Sequence, residues 1–155
     1  MVTFSVRPVG WVRAGRDDPA NTDHWGDVES TIVLEERFGD ECLAGLADFS
    51  HVDVVFVFDR TSERDDYREP RSSRGRDDLP RVGVFCDRGP RRPNRIGVTS
   101  CRIRAVDGRE LRVQGLDAVV GTPVLDLKPV MREFLARDVR QPAWVGALMG
   151  EYFQP

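Results

Sequence analysis

Between Arg81 and Arg104 the chain reads RVGVFCDRGPRRPNRIGVTSCRIR, and the middle of this stretch carries Arg88, Arg91, Arg92 and Arg95. Pro90 and Pro93 fix φ there, and Gly89 admits conformations that a side chain forbids. A solvated loop needs no such stiffening. The pattern reads as a rigid cradle that aims guanidinium groups at a phosphate, a carboxylate or a nucleotide edge. The plain alternative is a charged hairpin loop that keeps the protein soluble.

Other polar groups fall at the ends of apolar runs. His51 follows Ser50 at the start of HVDVVFVF, and Asp59 and Arg60 stand at its end. Asn94 lies in the cradle, Asp117 precedes Gly121-Thr122-Pro123, and Asp126 and Lys128 flank the end of the next run. Each has a structural reading as well. Ser50 and His51 can satisfy backbone groups, Asp117 can serve a turn, and Asp126 and Lys128, two apart on a strand, can form an ion pair. Their co-occurrence at strand ends favours a site.

The elements that must position them are mostly strands. Phe4 to Val12, Ser30 to Glu35, Val82 to Phe85, Ile96 to Ala105 and Thr122 to Leu127 read as strands. His51 to Phe58 reads as a strand buried on both faces. Cys101, Ile103 and Ala105 alternate with Arg102 and Arg104. A turn at Asp107-Gly108 makes a hairpin with the return through Leu111 and Val113. Short helices are expected from Asp40 through Leu46, with Asp40 as N-cap, after Pro129 through Leu135, and over Pro142 to Met149. Arg60 to Pro80 has little to bury and reads as a mobile charged surface loop. About seven short strands against two or three short helices, without βαβ rhythm, favour an antiparallel barrel or sandwich.

At 155 residues with ordinary apolar content, one domain is expected. No apolar run reaches transmembrane length, and the first residues lack a secretory pattern, so no membrane association and a cytoplasmic location are expected. Cys42, Cys86 and Cys101 are an odd set without C-x-x-C spacing and read as free thiols. Two histidines are too few for a histidine-rich metal site, and no metal is expected. The net charge of −3 argues against a generic nucleic-acid binder, although the cradle is locally basic. Lys128 is the one lysine among 23 basic residues. No Rossmann, P-loop, G-x-S-x-G or H-E-x-x-H motif occurs.

Three ordered segments then carry a resemblance: LADFSH (Leu46 to His51), GVFCDRGPRRPNRIG (Gly83 to Gly97) and LDAVVGTPVLDLKP (Leu116 to Pro129). Over about Val9 to Leu135 the chain resembles the TsaA-like family, known for tRNA adenosine methyltransferases that use S-adenosylmethionine (SAM). The resemblance implies a small antiparallel β-barrel, a homodimer, and SAM held without a Rossmann fold. It places the cofactor against Thr22, Asp23 and His24, against Asp59 and Arg60, against Arg88 and Val98, and against Asp117, Ala118, Val119 and Val120. Where the transfer needs a general base, His51 and Asp126 are the candidates, and Lys128 joins them as a catalytic candidate. Arg92, Asn94 and Arg95 would face the acceptor or its phosphate. The chain departs from the family pattern at Cys86-Asp87, Arg95, Val120 and Asp59.

Physical chemistry fits that arrangement. A sulfonium is a cation and wants carboxylate or carbonyl oxygens, while a methionyl carboxylate wants an arginine or backbone N–H groups. Three readings follow: a methyltransferase acting on tRNA, the same catalyst acting on a small-molecule acceptor, and a non-catalytic SAM-binding module.

Overall fold

The computed structural model describes residues 2–62 and 69–155. Its centre is a closed antiparallel barrel of six strands. In chain order the strands are β1 (Gly10–Ala14), β2 (Glu29–Leu34), β3 (His51–Val57), β4 (Arg71–Ser72), β5 (Arg81–Val82), β6 (Ile96–Asp107), β7 (Glu110–Gln114) and β8 (Pro123–Pro129). The barrel runs β1-β2-β7-β6-β3-β8, and β8 returns to β1 through Gly10 opposite Val124 and Trp11 opposite Pro123. Closure leaves the barrel without an open edge. Strands β4 and β5 pair separately.

Alternation explains the inside. Val52, Val54 and Phe56 of β3 point inward and are buried, as are Val12, Ile32, Cys101, Leu111, Val113 and Val124. The other residues of β3 are only half-buried, so the expectation of a strand covered on both faces is corrected: its outer face carries His51, Asp53, Val55 and Val57. That face is apolar enough at Val55 and Val57 to imitate a two-sided strand in the sequence. The expected β6–β7 hairpin forms, but Asp107 stays in β6 opposite Glu110, so the turn lies one residue later than the expected Asp107-Gly108. Its two-residue turn is Gly108-Arg109, with Gly108 in the left-handed region at φ +53°.

Other expectations change. The helix from Asp40 is two 3₁₀ turns, Asp40–Leu43 and Leu46–Asp48, and the N-cap position is Gly39 rather than Asp40. Gly45, at φ +82°, breaks the path between them. After Pro129 the ladder with β3 keeps the chain extended, and Val130 donates its N–H to the His51 carbonyl (3.0 Å). Only a 3₁₀ turn, Arg132–Phe134, follows. The expected strand Val82 to Phe85 is cut to β5, and Phe85 sits in a 3₁₀ turn, 80% exposed. The last expected helix is present as α1 (Ala143–Met149).

The segment expected to be a mobile loop is partly structured. Ser73 and Leu79 are buried, and Ser72 Oγ donates to the Leu79 carbonyl (3.1 Å). Residues 63–68 of that segment lie outside the described residues. No helix among the described residues is long and apolar enough to cross a membrane.

Candidate active site

Asp117 stands in the loop between β7 and β8, and each of its carboxylate oxygens accepts a hydrogen bond. Thr99, inward on β6, donates its hydroxyl to Asp117 Oδ1, and Tyr152, beyond α1, donates its hydroxyl to Oδ2 (2.5 Å). Asp117 makes no ion pair among the described residues. Burial, then the adjacent Asp117 charge, push the Tyr152 phenol well above its ordinary value, while Arg74 and Arg88 oppose the shift. Tyr152 is therefore a neutral donor. Cys101, buried on β6, is likewise raised, by burial first and then by Asp117 and Asp53.

A second segment meets this network. Arg74 forms a bidentate pair with Asp23 (2.9 Å to each oxygen), and its guanidinium lies 5.5 Å from the centre of the Tyr152 ring. The loop carrying Asp23 is shaped from within. Arg16 donates to the carbonyls of Asn21 (3.3 Å), Asp23 (2.6 Å) and His24 (2.6 Å) and lies over the Trp25 ring at 4.1 Å. Thr22 offers its carbonyl to Trp25 Nε1 (3.2 Å) and Arg74 Nη2 (3.4 Å), and His24 adopts φ +59°.

The cradle is rigid for a reason absent from its composition. Arg88 donates to the Val98 carbonyl (2.6 Å), Arg92 to that of Asp87 (2.7 Å) and Arg95 to that of Thr61 (2.5 Å). These guanidiniums are partly engaged in holding the backbone, and Asn94 and Arg95 take left-handed φ values of +61° and +52°. Arg60 donates to the Val120 carbonyl (2.8 Å), and the Val120 N–H donates to the Arg16 carbonyl (2.9 Å). Of the expected cofactor residues, Thr22, Asp23, Asp117 and Val120 thus lie on loops joined through Arg16, Arg74 and Tyr152, and Arg88 is tied to Val98 of β6. Ala118 is buried in the core, Val119 is half-buried, and Asp59 is exposed beside Arg60.

The catalytic candidates lie elsewhere, on the outer face of the barrel. Asp126 pairs with Lys128 (2.7 Å), which holds the ammonium above its ordinary value by that hydrogen bond. His51 Nδ1 and Ser50 Oγ are 2.7 Å apart. Ladder register links this face to the cradle: Asp126 is opposite Val55, which is opposite Val98. His51 is at the far end of β3, opposite Arg102.

Arg16, Arg74, Thr99 and Tyr152 were not singled out by the sequence. Arg74, Thr99 and Tyr152 sit far in sequence from their partners, Arg16 serves a nearby loop, and no local motif marks any of them. Apart from the hydroxyls on Asp117, the arrangement offers carboxylates for a cation, a guanidinium beside a strand end, and backbone carbonyls fixed in direction.

Comparison with known proteins places this geometry. Residues 12–135 match the family model described as the tRNA-methyltransferase O N-terminal domain. A protein of Pyrococcus abyssi, named a probable S-adenosyl-L-methionine-binding protein, is 32% identical over 146 residues, covering 92% of this chain and 74% of its own length. The human tRNA (adenine(37)-N6)-methyltransferase is 38% identical over 95 residues, which is 59% of this chain and 20% of the human protein. The crystal structure of TrmO from Pseudomonas aeruginosa superposes with a TM-score of 0.71 at 30% identity, covering 90% of this chain and 61% of that one. The chain therefore spans less than two thirds of the solved TrmO chain. The barrel, its motif-bearing loops and a match over most of the sequence agree: this chain belongs to the tRNA-methyltransferase O N-terminal domain family.

Proposed function

We propose that the chain is a SAM-dependent methyltransferase whose acceptor is the exocyclic amine of a modified adenosine in tRNA. The observation that carries the cofactor reading is Asp117. Its carboxylate is held by two neutral hydroxyls and by no cation among the described residues, on a loop tied to the early loop through the Val120 N–H and the Arg16 carbonyl. Such a carboxylate suits a sulfonium, and Arg88, fixed on the Val98 carbonyl, suits a carboxylate. When bound, SAM supplies a methyl group already activated for in-line displacement. The residues then have to align acceptor and donor and exclude water, which lowers the barrier through orientation. Asp23 and Arg74 fix the early loop, and Arg60 fixes the Val120 turn. Asp126, Lys128 and His51 are the groups available on the outer face to take the amine proton or hold the acceptor. Arg92, Asn94 and Arg95 sit on the stiff loop above that face.

The name of the human relative supports tRNA as the acceptor class, and the arginines of the cradle suit phosphate. The protein works as a homodimer in this reading. Its second copy covers the outer apolar residues Val55, Val57, Ile96 and Val98, together with the exposed Phe85. Ile96→Glu should convert the dimer to a monomer in light scattering.

The test is transfer of a labelled methyl group from SAM to bulk tRNA or, separately, to a small-molecule extract, with Arg88→Ala as control. Label in tRNA that disappears with the variant supports the proposal. Label confined to the small-molecule tube refutes the tRNA acceptor. Label in neither, with SAM bound, refutes catalysis and leaves a binding module.

A further inference from the structure

Residues 131–143 are exposed throughout, and the chain then returns to the barrel. Its contacts on return are specific. The His24, Trp25 and Gly26 N–H groups donate to the carbonyls of Glu151 (3.0 Å), Tyr152 (2.8 Å) and Gln154 (3.3 Å). His24 Nδ1 is 3.1 Å from the Pro155 carbonyl oxygen, and Arg76 donates to the Ala147 carbonyl (3.0 Å). Gly26 permits this crossing, because a Cβ there would lie 2.1 Å from the Phe153 carbonyl oxygen. From this docked backbone, Tyr152 reaches inward to Asp117 and lies beneath Arg74.

We propose that residues 143–155 form a strap that completes the cofactor site, with Tyr152 as a positioning residue acting through Asp117. This rests on the reading of the site as a SAM site. The strap adds a further tie between two loops that already meet through the Val120 N–H on the Arg16 carbonyl (2.9 Å) and Gln114 Nε2 on the Gly26 carbonyl (3.0 Å). One is the Thr22–Gly26 loop, held by backbone hydrogen bonds. The other is the Asp117 loop, held by one phenol. With Thr99, the phenol fixes both carboxylate oxygens without neutralising them. A carboxylate so held faces a cation with its direction set in advance, so less order is lost when the cation binds. Docking and cofactor binding then favour each other, because a ligand that needs the fixed carboxylate binds the strapped form better.

The experiment uses the intact chain, SAM as the probe, calorimetry for affinity and amide hydrogen exchange for the strap. Tyr152→Phe removes one hydroxyl, and Gly26→Ala blocks the backbone crossing. Both should weaken SAM binding, Tyr152→Phe by about tenfold, the scale of one hydrogen bond to a charged group. In the wild type, SAM should slow exchange at His24 and Trp25, whose N–H groups the strap covers. In Tyr152→Phe that slowing should disappear while the melting temperature stays near wild type, which a purely structural tyrosine would not produce. Wild-type affinity in both variants, with those amides released, would overturn the proposal. Tighter binding in either variant would also overturn it and make the strap a plug. If wild type itself fails to bind SAM, the cofactor reading falls and the proposal falls with it. Should Gly26→Ala not fold, Tyr152→Phe alone decides.

Discussion

Replacing Gly97 by alanine tests the packing beneath the cradle. Gly97 points inward on β6, opposite Phe56, and its φ lies outside the left-handed region, so alanine fits the backbone and the effect is steric. The added Cβ would lie 2.6 Å from Cε2 and from Cζ of Phe56 and 2.9 Å from Cζ of Phe58. Those rings already meet edge to face, with centres 5.2 Å apart. Phe56 is fully buried and cannot swing into solvent. Overpacking of this kind costs about 1–3 kcal/mol. At about 2 kcal/mol, a domain of this size loses roughly 4–8 °C in melting temperature. Urea denaturation followed by tryptophan fluorescence measures the cost. Phe56→Leu ends short of both clashing atoms, so the double variant should be less destabilised than the sum of the singles, by about 1 kcal/mol. Additive costs, or a Gly97→Ala protein within roughly 0.5 kcal/mol of wild type, would show that the rings relax and that the glycine is not a packing requirement.

Arg88→Ala should weaken SAM binding about tenfold or more by calorimetry, through loss of a charge-assisted contact, with little change in stability. Thr99→Val should cost about 1.5–3 kcal/mol in urea denaturation, since Asp117 loses a hydroxyl donor in a part-buried place. With a thiol reagent at about pH 8, Cys42 and Cys86 should react in the folded protein while Cys101 does not, and mass mapping identifies them. The raised Cys101 thiol also has a stability sign. Its contribution is complete below the ordinary thiol value and is lost as pH climbs toward the raised folded value, so the urea midpoint should fall above about pH 8.5.

The barrel strands were readable because apolar residues alternate in β2, β6 and β7, and a one-residue slip would turn each strand inside out. Closure was not readable from the residues alone. It depends on Gly10 and Trp11 meeting Val124 and Pro123, and nothing local announces that pairing. The segment after Arg60 misled because its charge hides two anchors, Ser73 and Leu79, that become buried. In the site, Asp117 and Arg88 were visible as polar groups in stiff motifs. Arg74 and Tyr152 were not: each gains meaning only from a partner far along the chain, Asp23 and Asp117. In a sequence with 23 basic residues, an arginine that builds the site looks like any other.

Arg16, which gathers three carbonyls around one guanidinium, has a consequence for how the protein meets changing acidity. A guanidinium keeps its proton at every pH at which proteins are handled, and carbonyls do not titrate. The shape of the Asn21–Trp25 loop is therefore set by a clasp with no ionisation step of its own. A lysine there would present a single ammonium, without the planar fork that Arg16 uses to reach several carbonyls and lie on Trp25. The Asp23–Arg74 pair and the His24 contact with the Pro155 carbonyl hold the same loop from outside, and the Arg16 clasp is the part of that support built on the loop's own backbone oxygens.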